Sequence, residues 1–158
     1  ELWITFEYTP KAGMNKKFEN AIANKTKLFN KADNTAFTAV LMTGNEAENG
    51  RYERIMPRRT NNWYTKSLST EESKFWQKNV AKYIQSGEGP YVWQRIISLS
   101  INFEEFRPTK YFRSFTRVLK NGNNEDFWRY LTRHSEAFRK ARPDVPEAIF
   151  VLSSGGNT

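Results

Sequence analysis

The chain contains no cysteine and a single histidine, His134, among its 158 residues. Without thiols there is no disulfide scaffold, no zinc–thiolate or iron–sulfur site and no thiol nucleophile. One histidine excludes metal or triad chemistry that needs two. Long apolar runs are missing as well. None approaches the roughly 20 residues of a membrane helix, so no membrane span is expected. There is no glycine-rich phosphate loop and no set of residues at metal-ligand spacing, so neither a cofactor nor a metal is expected. Glu71-Glu72 and Glu104-Glu105 are neighbours in sequence, so neither pair puts two carboxylates on one face. No catalytic set can be assigned.

Positive charge and aromatic rings are abundant. There are 25 Lys+Arg against 17 Asp+Glu, a net charge of +8, and 15% of residues are aromatic. That aromatic load excludes a disordered chain, and the length suits one medium domain or two small ones. Residues 1–50 balance 6 basic against 6 acidic side chains. Residues 51–100 hold 9 and 4, and residues 101–158 hold 10 and 7, so the excess lies after residue 50. The chain begins at Glu1 rather than Met. A signal peptide removed from an exported or periplasmic protein is the expectation, with a cytoplasmic protein as the alternative.

Along the chain, Leu2, Ile4, Phe6 and Tyr8 alternate as a strand does. Pro10 to Gly13 break it. Phe18, Ile22, Phe29 and Ala32 recur at helical spacing over 14–32. A second strand is predicted over 36–43 and Asn49-Gly50 is a hairpin signal, with the return strand over 50–57 ended by Pro57. Ser69 and Glu72 form a capping box. The helix behind it, over 71–85, presents Phe75, Trp76, Val80, Tyr83 and Ile84, and Gly87 to Pro90 stop it. Tyr91 to Phe103 alternates as one long strand carrying Arg95. The order is β-α-β-β-α-β, the ferredoxin-like α+β arrangement.

The pattern then restarts. At an offset of 109 positions Phe6 meets Phe115, Lys11 meets Lys120, Gly13 meets Gly122, and Asn15 meets Asn124. Phe18 meets Phe127, Phe29 meets Phe138, Lys31 meets Lys140, and Ala32 meets Ala141. An internal repeat outranks local assignments. The expectation is a first ferredoxin-like unit over 1–106 and a second, incomplete copy over 107–158. The copy comprises a strand from Tyr111, a turn at Asn121-Gly122, a helix to Ala141 and a strand from Ala148 to Ser153. Its remaining half would be a stretch equivalent to 44–103, or its open edge would be covered by a partner chain.

The Pro10-to-Gly13 turn, the helix from Phe18 to Ala32, the Gly50-Arg51-Tyr52 return strand and Pro57-Arg58 with Trp63 resemble the dimeric α+β barrel superfamily. The likeness extends to exported bacterial tandem-repeat proteins of uncharacterised role. It implies a homo-oligomer, or a tandem repeat, joined through sheet faces. Its relatives span cofactor-independent oxygenases, haem-binding enzymes, muconolactone isomerase-like proteins and small ligand-binding proteins, so the fold selects no chemistry.

Three sets of residues merit a function. His134 falls on the apolar stripe of the second long helix, between Leu131 and Phe138, where Lys25 stands in the first copy. It reads either as an acid/base or axial haem ligand, or as a hydrogen-bonded histidine at the helix flank. Arg113 and Arg117 would share a strand face with Tyr111 and Phe115, a face that is apolar in the first copy. Buried guanidinium groups need acids or an anionic ligand, and Arg95 would join them in a site for a small anion. The basic clusters of Arg51, Arg54, Arg58, Arg59 and Lys66, and of 107–120, suggest a nucleic-acid surface. However, Gly50-Arg51-Tyr52-Glu53-Arg54-Ile55 fails the RNA-binding consensus of ferredoxin-like sheets, which ranks this reading last. The five tryptophans are read as core and interface. A non-catalytic ligand-binding or interaction module is therefore expected. An oxygenase-like or haem-binding enzyme using His134, Arg113 and Arg117 is the alternative, and a nucleic-acid-binding protein follows it.

Overall fold

A computed structural model describes residues 1–30, 36–43, 46–59, 68–103, 110–120, 122 and 124–155. Ala32, Trp63, Lys66, Arg107 and Asn121, to which the sequence patterns assigned places, lie outside these residues. The elements run β1 (Leu2–Pro10), α1 (Asn15–Phe29), β2 (Phe37–Thr43), β3 (Glu46–Arg59), α2 (Thr70–Phe75), β4 (Ile84–Arg95), α3 (Asn124–Ala141) and β5 (Phe150–Ser154). The protein is thus α+β. The strands form one sheet in the order β2-β3-β1-β4-β5, and β1 is antiparallel to both β3 and β4. By contacts the chain groups into one unit of 1–94 with 152–158, and another of 95–151.

In the first unit, helical periodicity aims Phe18, Ala21 and Ile22 of α1 at the sheet. There they meet Tyr52 of β3 and Val80 in a fully buried cluster, with Tyr8, Phe75 and Trp76 packed around it. Phe18 meets Tyr52 in a tilted ring contact at 5.0 Å, and Phe29 meets Phe75 edge-on at 5.5 Å. Leu2, Ile4 and Val92 form a second cluster with Phe6 and Met56. Ser69 caps α2 by accepting from the Glu72 amide at 3.1 Å. The reciprocal half of the box is not made, because the Glu72 carboxylate pairs with Lys25. After Phe75 the helix widens into a π turn over Trp76–Val80 and tightens to a 3₁₀ turn over Ala81–Tyr83.

Several boundaries differ from the pattern, each for a local reason. Pro57 does not end β3, which runs to Arg59. The β1–β3 register slips between Leu2 and Ile4, and a bulge is where a strand tolerates proline. Gly87 to Pro90 do not stop a helix either: they lie inside β4, whose register against β1 slips between Thr5 and Glu7. A Cβ on Gly89 would stand 2.8 Å from the Thr5 carbonyl oxygen, so glycine lets the strands close there. Asn49-Gly50 is not the hairpin turn, since Thr43 pairs with Glu46. Gly50 sits within β3 at φ +69°, under the Asn15 side chain. The long last strand stops at Arg95, and Ile97–Leu99 form a 3₁₀ turn.

In the second unit, α3 matches the expected helix. It buries Leu131 and Ser135, whose hydroxyl donates to the Leu99 carbonyl at 2.8 Å. Ile101 bridges antiparallel to Glu147. The strand expected from Tyr111 does not form. Residues 110–120 carry no regular secondary structure and are exposed almost throughout. Of the strand and helix expected there, the helix is present and the strand before it is not.

Candidate functional site

The first unit gathers its buried charge beneath α1. One turn beyond Phe18 and Ile22, the same helix face delivers Lys25, which is 5% exposed, then Thr26 and Asn30. From the sheet, alternation along β3 puts Tyr52, Arg54 and Met56 on the helix side. Arg54 is 2% exposed. Its Nη1 donates to Thr26 Oγ1 at 2.8 Å and, at the limit of a hydrogen bond, to Thr38 Oγ1 at 3.5 Å. Its Nη2 donates to Asn30 Oδ1 at 2.8 Å. The Thr26 hydroxyl hydrogen is spent on the Ile22 carbonyl at 2.9 Å, leaving its oxygen to accept from Arg54. Lys25 Nζ donates to the same Asn30 oxygen at 3.0 Å and forms an ion pair with Glu72.

These two cations differ in how they are neutralised. Lys25 has a carboxylate, whereas the hydrogen bonds of Arg54 end on neutral oxygens. Burial draws the Lys25 ammonium below its ordinary range, opposed by its hydrogen bond to Glu72. Burial also pulls the Arg54 guanidinium down to about 10, which leaves it charged at neutral pH. A cavity of about 490 Å³ opens between α1 and the sheet beside this group. Thr26 and Thr38, the two threonines held by Arg54, line it. Ile22, Ala23, Phe37 and Tyr52 supply apolar wall, and Glu19 and Lys27 stand at it. Tyr52 donates to Glu19 Oε1 at 2.8 Å, which fixes the ring.

The other sheet face carries a second polar group. Glu7 of β1 stands directly opposite Glu53 of β3, and Glu7 is ion-paired with Arg51. Burial, and then the Glu7 charge, push the Glu53 carboxyl up to about 7, against a hydrogen bond from Thr5. The Trp93 indole donates to that Thr5 hydroxyl at 3.0 Å.

The residues singled out by sequence lie in the second unit. Arg95 is buried, its guanidinium 5.7 Å over the Phe103 ring. Arg113 is exposed and rests at 5.7 Å over Phe115. Arg117, also exposed, rests at 5.8 Å over Tyr130. With no strand at 110–120, alternation no longer assigns these arginines to a core face, and they stack on rings instead. His134 Nε2 lies 3.1 Å from Glu147 Oε1, and its ring stacks on Tyr130 and meets Phe138 at a tilt, each at 6.0 Å. Arg117 and His134 thus meet through Tyr130, while Arg113 stands on Phe115 and Arg95 on Phe103. Among the described residues, no group of three or more His, Asp or Glu could hold a metal ion, and no helix is long and apolar enough to cross a membrane.

Sequence reasoning passed over Arg54 by counting it in a basic surface cluster. Its signal was there: it sits two residues from Tyr52 and from Met56, on the face of β3 that must pack against a helix. No protein-family model, no curated protein and no solved structure matches the chain at a significant level.

Proposed function

We propose that the chain is a non-catalytic ligand-binding module, and that its ligand is a small amphipathic anion seated between α1 and the sheet. The observation that carries this is Arg54. Its hydrogen bonds end on neutral oxygens, and the Glu72 charge that acts on it is already ion-paired with Lys25, so its desolvation is offset only in part. The cavity reaches the two threonines that hold it. A carboxylate or comparable head entering there would take over the long contact to Thr38 and supply a charge of its own, with bidentate geometry open to it. Ile22, Ala23 and Phe37 would cover an apolar body. The ligand-binding role moves from Arg113, Arg117, His134 and Arg95 to Arg54, because Arg54 combines burial, charge and an adjoining cavity.

The order β-α-β-β-α-β with strands arranged β2-β3-β1-β4 supports a ferredoxin-like first unit within the dimeric α+β barrel superfamily. In that reading the helices shelter the ligand and the opposite sheet face serves association between copies. In the same reading α3 would be the counterpart of α1 in a second copy of the unit.

The test uses an anionic fluorescent probe, 8-anilinonaphthalene-1-sulfonate, beside its uncharged relative N-phenyl-1-naphthylamine. The sulfonate should saturate at one site per chain. Arg54→Met keeps the stem and removes the charge, so sulfonate affinity should fall by roughly 1.5–3 kcal/mol while the neutral probe is little affected. Equal sulfonate affinity in the variant, with an unchanged near-ultraviolet circular dichroism spectrum, would sink the proposal.

A further inference from the structure

Residues 110–120 carry a pattern that their conformation does not use. The segment reads Lys-Tyr-Phe-Arg-Ser-Phe-Thr-Arg-Val-Leu-Lys, with four basic residues and no acidic one. On a helix of 3.6 residues per turn, Tyr111, Phe112, Phe115, Val118 and Leu119 fall within an arc of roughly 120°. Lys110, Arg113, Arg117 and Lys120 fall within roughly 80° on the opposite side. Thr109 precedes this stretch and Gly122, at φ +89°, follows it, the residue types that begin and end helices. Yet the segment is without regular secondary structure. Phe115 is 73% exposed and Val118 92% exposed. An apolar stripe of this size has a reason to exist if something covers it.

We propose that residues 110–120 are a membrane-surface element, which folds into an amphipathic helix on an anionic lipid bilayer. Charge selects the bilayer, since four cations with no acid among them match a surface of negative headgroups. The sorting of the side chains then separates lipid from single-stranded nucleic acid. Strand binding stacks rings on bases while cations track the phosphates of the same groove, so rings and cations share a face. Here the helical projection sends them to opposite sides, as the boundary between hydrocarbon and headgroups requires. In the free chain the cations rest on rings instead, Lys110 over Tyr111 and Arg113 over Phe115. Those contacts separate when the helix forms. The length, about 16 Å at 1.5 Å per residue, makes this a surface contact and not a span.

The test is sedimentation of the whole chain with vesicles of phosphatidylcholine alone and of phosphatidylcholine mixed with phosphatidylglycerol, read together with far-ultraviolet circular dichroism. The mixed vesicles should bind at least about tenfold more tightly than the neutral ones, with a gain in helical signal. Phe115→Ser with Val118→Ser, both at exposed positions, should weaken that binding at least about tenfold and abolish the gain. Arg113→Gln with Arg117→Gln should remove the preference for the anionic lipid. The proposal is overturned by absence of binding to mixed vesicles, by binding that the serine pair leaves intact, or by binding without added helix. Capture of an oligothymidylate in place of vesicles would also overturn it, and would assign the segment to nucleic acid.

Discussion

Replacing Glu53 with glutamine should stabilise the protein, and only above a particular pH. Glu53 faces Glu7 across the β1–β3 ladder, and its carboxyl is pushed up to about 7 from an ordinary 4.5, first by burial and then by the Glu7 charge. The folded chain therefore keeps the Glu53 proton up to about pH 7, while the unfolded chain releases it near 4.5. Between those values the folded state binds more protons, so stability falls as pH rises. At about 1.4 kcal/mol per pH unit the loss is at most about 3 kcal/mol, complete above pH 7 and absent below 4.5. Glutamine cannot ionise, and its carbonyl oxygen can still accept from Thr5. Urea unfolding of Glu53→Gln against the parent should show a gain of up to about 3 kcal/mol at pH 8, and less than about 1 kcal/mol at pH 5. A difference that is the same at both pH values would refute the reasoning, because Glu53 would then ionise in the fold as it does in the unfolded chain.

The buried pair beneath α1 makes an opposite prediction. Glu72→Gln leaves the Lys25 ammonium buried without its carboxylate and should cost about 3–5 kcal/mol near neutral pH. Adding Lys25→Met should recover most of that loss, and simple additivity in denaturant unfolding would show that the pair does not couple. Since burial already draws the Lys25 pKa down, the single variant should also regain stability at alkaline pH as the amine loses its charge. Phe18→Ala empties the centre of the first core and should lower stability by about 3–5 kcal/mol in the same assay. A loss below about 1 kcal/mol would mean that Phe18 is not the keystone of that cluster.

The elements that could be read from sequence are those whose side chains report their own environment. Leu2, Ile4, Phe6 and Tyr8 alternate because one face of β1 meets a core, and Phe18 and Ile22 repeat because one face of α1 does. Ser69 announces the start of α2 through the hydroxyl that caps it. Punctuation was less faithful. Pro57, Gly50 and Gly87 to Pro90 resemble breaks, but each is absorbed within a strand, where a register slip or a left-handed residue accommodates it. Such slips depend on the neighbouring strand and leave no local trace. The segment 110–120 is compatible with period two or period 3.6, and in the free chain neither wins. For the site, strand alternation was sound on β3 and would have placed Arg54 beside Tyr52. It failed on Arg113 and Arg117 because the strand it presupposed is not made.

The position of β1 between β3 and β4 has a consequence for how the molecule is assembled. The strand β1 lies inside the sheet, and both of its neighbours, β3 and β4, come later in the chain. Trp3 pairs with Trp93, and the Trp93 indole reaches Thr5 across 88 positions of sequence. During synthesis Leu2 and Ile4 of β1 must therefore wait for Val92 of β4 before their cluster can close. Closing so long a loop adds only slowly to the entropic cost, since that cost grows with the logarithm of length. The search is what lengthens, because contacts so distant in sequence are rewarded only after the loop has closed. A chain interrupted before residue 84 would leave the edge of β1 that pairs with β4 open. Its tendency to associate with other nascent chains should exceed that of the completed protein.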